Sequence, residues 1–112
     1  MILFQMGNIL DFDKGYIAHQ CNMVTLNTAG LAKQIFTRFP DANIPLADRE
    51  LGKCSIYGNI VNLYSQHSVG RGMPNETPFH RLGWFKQSLF HLEQLNTKYL
   101  PVAFPYKIGC GL

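Results

Sequence analysis

Short apolar runs bounded by turn-forming residues are the main pattern of this chain. Runs of this length, with Gly, Asn or Pro at their ends, are typical of strands rather than helices. Gly58 and Asn59 separate two of the runs by a two-residue turn of the hairpin type. The predicted strands span residues 1–6, 16–21, 53–57, 60–64 and 101–105.

A first helix is predicted over residues 29–39, which read AGLAKQIFTRF. Leu31 and Ile35 lie four residues apart on one face, and Phe36 widens the apolar side. Pro40 follows and is expected to stop the helix. Residues 41–51 are ambiguous and are compatible with a short helix over residues 45–51.

A second helix is predicted to begin at Pro78 and to end near Asn96. Thr77 is a good N-cap residue, and a proline in the first turn costs no hydrogen bond. Apolar residues recur along this segment at helical spacing. The residues predicted to point inward are Leu82, Phe85, Leu89, Leu92 and Leu95.

Helices placed between strands predict a single α/β domain, residues 1–112, built on a mixed sheet. In open α/β sheets, ligands bind beyond the carboxyl ends of the strands. Three loops leave such ends, at residues 22–30, 65–74 and 106–112. We therefore expect these loops to converge on a ligand site.

Composition narrows the possible partners. The net charge of +3 fits an anionic small ligand as well as nucleic acid, but Lys and Arg form no cluster, which disfavours nucleic acid.

The three cysteines include no CxxC pair, so reduced thiols are expected. No His or Cys pair has zinc-ligand spacing, and neither a metal nor a cofactor is expected. The apolar start lacks a basic segment and soon reaches Asp11, so a cytoplasmic protein without membrane association is expected.

Two side chains near the end of the second strand are candidates for chemistry. The Asn22 carboxamide can donate to and accept from ligand hydroxyls, although an Asx-turn that caps the strand end is an equal alternative. His19 is either a general acid or base, or a buried histidine held by hydrogen bonds.

Glycines in the other predicted loops favour anion binding. Gly30 enters the first helix, where free N–H groups and the helix dipole attract negative charge. Gly109 and Gly111 would let backbone N–H groups approach a phosphate, with a plain turn as the alternative. Cys110 between them has no base beside it in sequence, and Arg71 is either a phosphate contact or a solvated loop residue.

Taken together, these loops resemble the macro domain family, which binds ADP-ribose. The strongest match is FPYKIGCGL, which is similar to the second phosphate loop of the family. NLYSQ resembles the branch that contains ADP-ribose 1″-phosphate phosphatases and deacylating or de-ADP-ribosylating macro domains. The matching segments are GNI at residues 7–9, IAHQCN at 17–22, AGLAKQI at 29–35, NLYSQ at 62–66 and FPYKIGCGL at 104–112.

The resemblance implies roles for individual residues. Asn8 would face adenine, Asn22 would hold the distal ribose, and the two glycine loops would cradle the diphosphate. Asn22 and His19 are the catalytic candidates, acting on a water that the bound diphosphate helps to position. The implied ligand-binding residues are Asn8, Ile9, Asn22, Gly30, Leu31, Ala32, Gln66, Lys107, Ile108, Gly109, Cys110 and Gly111.

Two departures from the family pattern bear on catalysis. Asn8 stands where the family usually has Asp, so the contact with adenine would lack charge assistance. The family also continues beyond the second phosphate loop with an AGGDW-like segment, a strand and a helix, and the Asp of that segment is a favoured catalytic residue. We therefore expect a three-layer macro-like fold that lacks the last strand and helix. Either strand one pairs directly with strand five, another chain fills the gap, or the sequence is part of a longer protein.

Three functions follow from the resemblance. The first is an ADP-ribose-directed hydrolase that removes a phosphate, acyl or ADP-ribosyl group from the distal ribose. The second is a binding module for ADP-ribose or a related NAD-derived nucleotide, which both departures favour. The third is a remnant domain that acts through protein contacts, including self-association, at an open sheet edge.

Overall fold

A five-stranded mixed sheet carries the fold. The computed structural model describes residues 2–3, 9–70 and 74–105. The strands are β1 (Ile2–Leu3), β2 (Tyr16–Cys21), β3 (Cys54–Tyr57), β4 (Ile60–Tyr64) and β5 (Val102–Ala103). The helices are α1 (Gly30–Arg38) and α2 (Pro78–Leu95), with short 3-10 helices at Ile9–Asp11, Pro40–Ala42 and Leu46–Asp48.

The order of strands in the sheet is β1-β5-β2-β4-β3. All neighbouring strands are parallel except β3 and β4, which form the predicted antiparallel hairpin. β1 pairs directly with β5, so that Ile2 lies opposite Val102. Of the arrangements considered for strand one, the structure has the direct pairing with strand five.

The two faces of the sheet are covered by different helices, which gives three layers. Successive side chains of a strand point to opposite faces. Ile17 of β2 and Ile60 of β4 therefore pack with Ile35 of α1, whereas Ala18 of β2 and Val61 of β4 pack on the side of α2. Both sides bury apolar residues, and β4, which lies between β2 and β3, is buried along its whole length.

The predicted elements mostly agree with the observed ones. β2 and β4 have the predicted bounds, and β3 begins one residue later than predicted. β5 is shorter than predicted because Pro101 and Pro105, which lack N–H donors, flank it. The segment at residues 45–51 forms only the 3-10 helix Leu46–Asp48. No helix in the described ranges is long and apolar enough to cross a membrane.

The start of α2 has the capping that the sequence predicted. The Thr77 hydroxyl accepts a hydrogen bond from the His80 backbone N–H at 3.2 Å, and the His80 ring accepts one from the Thr77 N–H. Pro78 follows as the first helical residue. These bonds pair N–H groups that the helix itself leaves without partners.

The inward face of α2 differs from the prediction. Leu92 is buried and Phe85 and Leu89 are partly buried, but Leu82 and Leu95 are 40% and 44% exposed, so their predicted burial is wrong. Buried polar residues extend the inward line instead, at Arg81 and Ser88. They are seven residues apart, about two turns of a helix, and therefore share a face. Arg81 can be buried because Glu76 neutralises it at 2.8 Å.

Candidate functional site

A cavity of about 520 Å³ lies at the carboxyl ends of β2 and β4. Its walls come from the end of β2, the loop into α1, the first turns of α1, the segment before β3 and the loop after β4. Its volume is in the usual range for small-molecule and cofactor sites. The lining residues are Gln20, Cys21, Asn22, Thr25, Asn27, Thr28, Ala29, Ala32, Phe36, Asn43, Arg49, Gln66 and Val69.

Asn22 shapes the loop that follows β2. Its side-chain oxygen accepts hydrogen bonds from the backbone N–H groups of Val24 and Thr25, both at 2.8 Å. This is the Asx-turn that the sequence offered as one alternative. Among the described residues, no acceptor bonds the Asn22 side-chain nitrogen. Because Asn22 lines the cavity, its two remaining N–H donors are suited to a bound molecule.

The entrance of α1 has no side-chain cap. Ala29 is the N-cap residue, and it lines the cavity together with Ala32. The first N–H groups of a helix have no partner within the helix and carry the positive end of its dipole. Gly30 has φ +57°, a left-handed conformation that favours glycine, and none of the described residues lies within 4 Å of where its Cβ would be. Within the described part of the chain, the start of α1 is therefore uncovered, and it attracts negative charge.

Arg49 is a site residue that the sequence prediction missed. Its guanidinium donates to the Asn22 carbonyl at 2.7 Å, the Asn43 side-chain oxygen at 2.7 Å and the Ile44 carbonyl at 3.2 Å. It also lies 5.4 Å from the centre of the Tyr64 ring. Arg49 lies in residues 41–51, the segment whose secondary structure the sequence left ambiguous. Its side chain is only 5% exposed, and nothing in the neighbouring sequence indicates that this arginine is buried.

Neutral atoms surround the charge of Arg49. The three hydrogen-bond acceptors are two carbonyls and one amide oxygen. All seven acidic residues of the sequence fall in the described ranges. Within those ranges, none of their carboxylates lies within 4.0 Å of Arg49; the ion pair there is Arg81 with Glu76. Among the described residues that line the cavity none is acidic and Arg49 is a cation, so this lining carries a positive charge.

His19 lies behind the cavity wall rather than in it. It is 2% exposed, is not among the lining residues, and stands opposite Asn62 in the β2–β4 register. Its Nε2 is 2.7 Å from the Asn62 side-chain oxygen, and Phe36 packs edge-on at 5.2 Å between ring centres. Asn62 in turn donates to the Ala42 carbonyl at 2.7 Å, so its oxygen is the acceptor and His19 donates.

Burial keeps the neighbouring ionisable groups neutral. It lowers the pKa of His19 to about 4, against a raising effect of the Asn62 hydrogen bond and with a further lowering by Arg49. Burial also raises the pKa of Cys21 to about 12, although the charge of Arg49 opposes this rise. Near neutral pH, His19 is therefore an uncharged imidazole and Cys21 an uncharged thiol.

The loop after β4 is fixed to the rest of the site by a buried ion pair. The Glu76 carboxylate accepts from the backbone N–H groups of His67 and Ser68 at 2.9 and 3.0 Å. Arg81 donates to Glu76 and to the carbonyls of Ser68 and Gly70. The Met23 N–H donates to the His67 carbonyl, which joins this loop to the one after β2.

No family model matches the chain, and no curated protein matches it. Among solved structures, it is similar to the macrodomain of Mycobacterium tuberculosis DarG, with a TM-score of 0.71 over 94% of this chain and 75% of that chain. The sequences are 18% identical. The chain has the macrodomain fold. The predicted three-layer architecture is thereby confirmed.

Within this macrodomain fold, the predicted site residues fall into separate groups. Asn22, Ala32 and Gln66 line the cavity, and Gly30 and Leu31 belong to the same first turns of α1. Ile9 instead packs against the core on the α1 side, and His19 is buried behind the wall. The remaining predicted residues lie outside the described residues: Asn8, Lys107, Ile108, Gly109, Cys110 and Gly111, as does Arg71.

The cavity also contains residues that were not among the predicted site residues. They come from every wall: polar side chains from β2 and the loop after it, Phe36 from α1, Asn43 and Arg49 from the segment before β3, and Val69 from the loop after β4. Hydrogen bonding potential alone could have suggested the asparagines and threonines. The others depend on tertiary contacts. The polar lining residues outside the prediction are Gln20, Thr25, Asn27, Thr28, Asn43 and Arg49.

Proposed function

We propose that this chain is an ADP-ribose-directed hydrolase of the macro type that acts on the distal ribose. The observation that carries the proposal is the charge of the cavity. An uncapped helix terminus and a buried arginine line it, and none of the described lining residues is acidic. Such a site favours a ligand with phosphate groups.

The ligand would be oriented by the two features that the sequence singled out. The N–H groups at the start of α1, beside Ala29 and Ala32, would hold the diphosphate. Asn22 would donate its side-chain N–H groups to the distal ribose while its oxygen keeps the loop in place. In this proposal, the oxygen of a water next to the diphosphate bonds to the phosphorus, to the acyl carbon or, for an ADP-ribosylated substrate, to C1″ of the distal ribose. The bond from that atom to its leaving group breaks, and the leaving group takes up the proton that the water loses. The helix N–H groups stabilise the negative charge that develops.

A second candidate function is binding without turnover. The described lining residues include no group suited to proton transfer near neutral pH, because Cys21 has a pKa of about 12. His19 has a pKa of about 4, and it lies buried behind the cavity wall rather than among the lining residues. These properties favour a module that captures ADP-ribose or a related nucleotide.

Turnover assays distinguish the two functions. Purified protein would be incubated with ADP-ribose 1″-phosphate, with an acylated ADP-ribose and with an ADP-ribosylated substrate, and the released ADP-ribose would be measured. Release from one of these substrates, lost in the Asn22→Ala variant, supports the hydrolase. Binding of ADP-ribose without release from any of them supports the module instead.

A further inference from the structure

We infer that Arg49 is a specificity-determining residue of this cavity, which selects ligands with an anionic group on the distal ribose over uncharged ones. The inference rests on the proposed ADP-ribose site, in which Asn22 holds the distal ribose. It begins from geometry: the Arg49 guanidinium bonds the Asn22 carbonyl at 2.7 Å and lines the same cavity. The cation is therefore next to the residue assigned to that end of the ligand.

The hydrogen bonds of Arg49 hold the guanidinium in place without neutralising it. They involve one nitrogen each, so three of its five N–H groups are used by the Asn22 carbonyl, the Asn43 side chain and the Ile44 carbonyl. A guanidinium held this way is preorganised, and little conformational entropy is lost when an anion binds it.

A buried positive charge with only neutral partners is costly to maintain. Arg49 is 5% exposed, and the described carboxylates are all farther than 4.0 Å from it. A ligand anion in the cavity would supply the missing negative charge next to this buried guanidinium. There, a charge-assisted hydrogen bond is stronger than one between neutral groups.

Arg81, the other buried arginine of the described residues, provides a comparison. Arg81 is also buried, but its charge is used inside the protein, because Glu76 pairs with it at 2.8 Å. No described carboxylate pairs with Arg49, which borders the cavity, whereas Arg81 does not line it. The difference between the two arginines indicates a role for Arg49 toward a ligand rather than a structural role alone.

The test compares two ligands that differ by one anionic group, ADP-ribose and ADP-ribose 1″-phosphate. Dissociation constants are measured by calorimetry, with KM in place of the dissociation constant for a ligand that is consumed. Wild-type protein should prefer the phosphorylated ligand by about tenfold or more, the usual effect of a hydrogen bond to a charged group. Arg49→Gln should bring the ratio close to one.

Three variants separate charge from structure. Arg38→Gln removes the same charge from an exposed site on α1 and should keep the wild-type ratio. Arg49→Lys keeps the charge and should keep most of the ratio, even if its stability is lower. A purely structural Arg49 would weaken both ligands equally in Arg49→Gln and leave the ratio unchanged, which would overturn the inference. If Arg49→Gln does not fold, a ratio near one in the folded Arg49→Lys variant overturns it.

The outcome is separable from that of the proposed function. If wild-type protein binds ADP-ribose but does not discriminate between the two ligands, the inference fails while the site stands. If ADP-ribose does not bind, inorganic phosphate is titrated into wild-type, Arg49→Gln and Arg38→Gln proteins and followed by NMR chemical shifts. Shifts around Asn22 that are lost only in Arg49→Gln support anion recognition by Arg49, and their absence from the wild type contradicts it.

Discussion

Asn22 combines the two roles that the sequence offered as alternatives. Its side-chain oxygen closes an Asx-turn with Val24 and Thr25, and its side-chain nitrogen is left to the cavity. The sequence could not choose between a loop residue and a ligand residue. The structure removes the conflict, because the two atoms of one carboxamide serve different partners.

The substitution Asn22→Asp separates these roles. A carboxylate still accepts from Val24 and Thr25, so the melting temperature should change little. It lacks the N–H donors and would offset the charge of Arg49, so the affinity for ADP-ribose should fall by about tenfold or more. Asn22→Ala should lose the turn as well, and with it the hydrogen bonds from Val24 and Thr25, at a cost of about 1 kcal/mol in the free energy of unfolding. Wild-type affinity in Asn22→Asp would rule out a ligand contact by this nitrogen.

His19 makes the stability of the fold depend on pH. Its pKa of about 4 in the folded chain lies below its ordinary value of 6.5, so the unfolded chain binds more protons between these two pH values. The contribution of uncharged His19 to the free energy of unfolding is complete above pH 6.5 and is lost as the pH falls toward 4. At pH 5, we expect a loss of about 2 kcal/mol relative to pH 7.5.

Urea unfolding at pH 7.5 and pH 5.0 measures this effect. His19→Gln should reduce the difference between the two midpoints, whereas the exposed His67→Gln should keep it. Equal stability of the wild type at both pH values would show that His19 is not held in its uncharged form.

At the scale of elements, the site depends on where α1 begins. The sequence predicted this helix and its glycine entrance, because local signals set both. The exposure of this entrance could not be predicted, since it depends on Ala29 providing no cap and on the described residues leaving the space around Gly30 empty.

A negative charge at the start of α1 should therefore block the cavity. Ala32→Glu places a larger, anionic side chain on the cavity wall, and we expect ADP-ribose binding to be lost in calorimetry. Gln34→Glu adds the same charge to an exposed residue of the helix that does not line the cavity. It should reduce affinity much less. Equal losses in the two variants would contradict the placement of the ligand beside Ala32.

The loop after β4 should be sensitive to its buried ion pair. Glu76→Gln leaves Arg81 as a buried charge without its counter-ion, and breaking such pairs costs about 3–5 kcal/mol. Urea denaturation should show this loss, while Glu93→Gln at an exposed position of α2 should be nearly neutral. A small effect of Glu76→Gln would mean that the pair does not hold the loop.

At the scale of the whole molecule, the placement of helices between strands predicted an α/β fold with a mixed sheet, as observed. The runs that became β2 and β4 could be read from sequence because each is short, apolar and bounded by turn residues. The inward face of α2 could not, because the burial of Arg81 depends on Glu76, which lies outside the helix. Arg49 was missed for the same reason: its environment is built by contacts with Asn22, Asn43 and Ile44, which come from two separate loops.

The pairing of β1 with β5 closes the part of the sheet about which the sequence left most doubt. Two residues of each strand pair in parallel, which keeps β5 between β1 and β2. Self-association through an open sheet edge stays a prediction. The central claim is that the cavity at the carboxyl ends of β2 and β4, where Arg49 lies, binds ADP-ribose.

Calorimetric titration of the full chain with ADP-ribose tests that claim most directly. We expect saturable binding at one site and a rise in melting temperature with ligand concentration; at a hundredfold excess over the dissociation constant, the stabilisation should be about 2.7 kcal/mol. If millimolar ADP-ribose produces no heat of binding and no thermal shift, both the hydrolase and the binding module are contradicted.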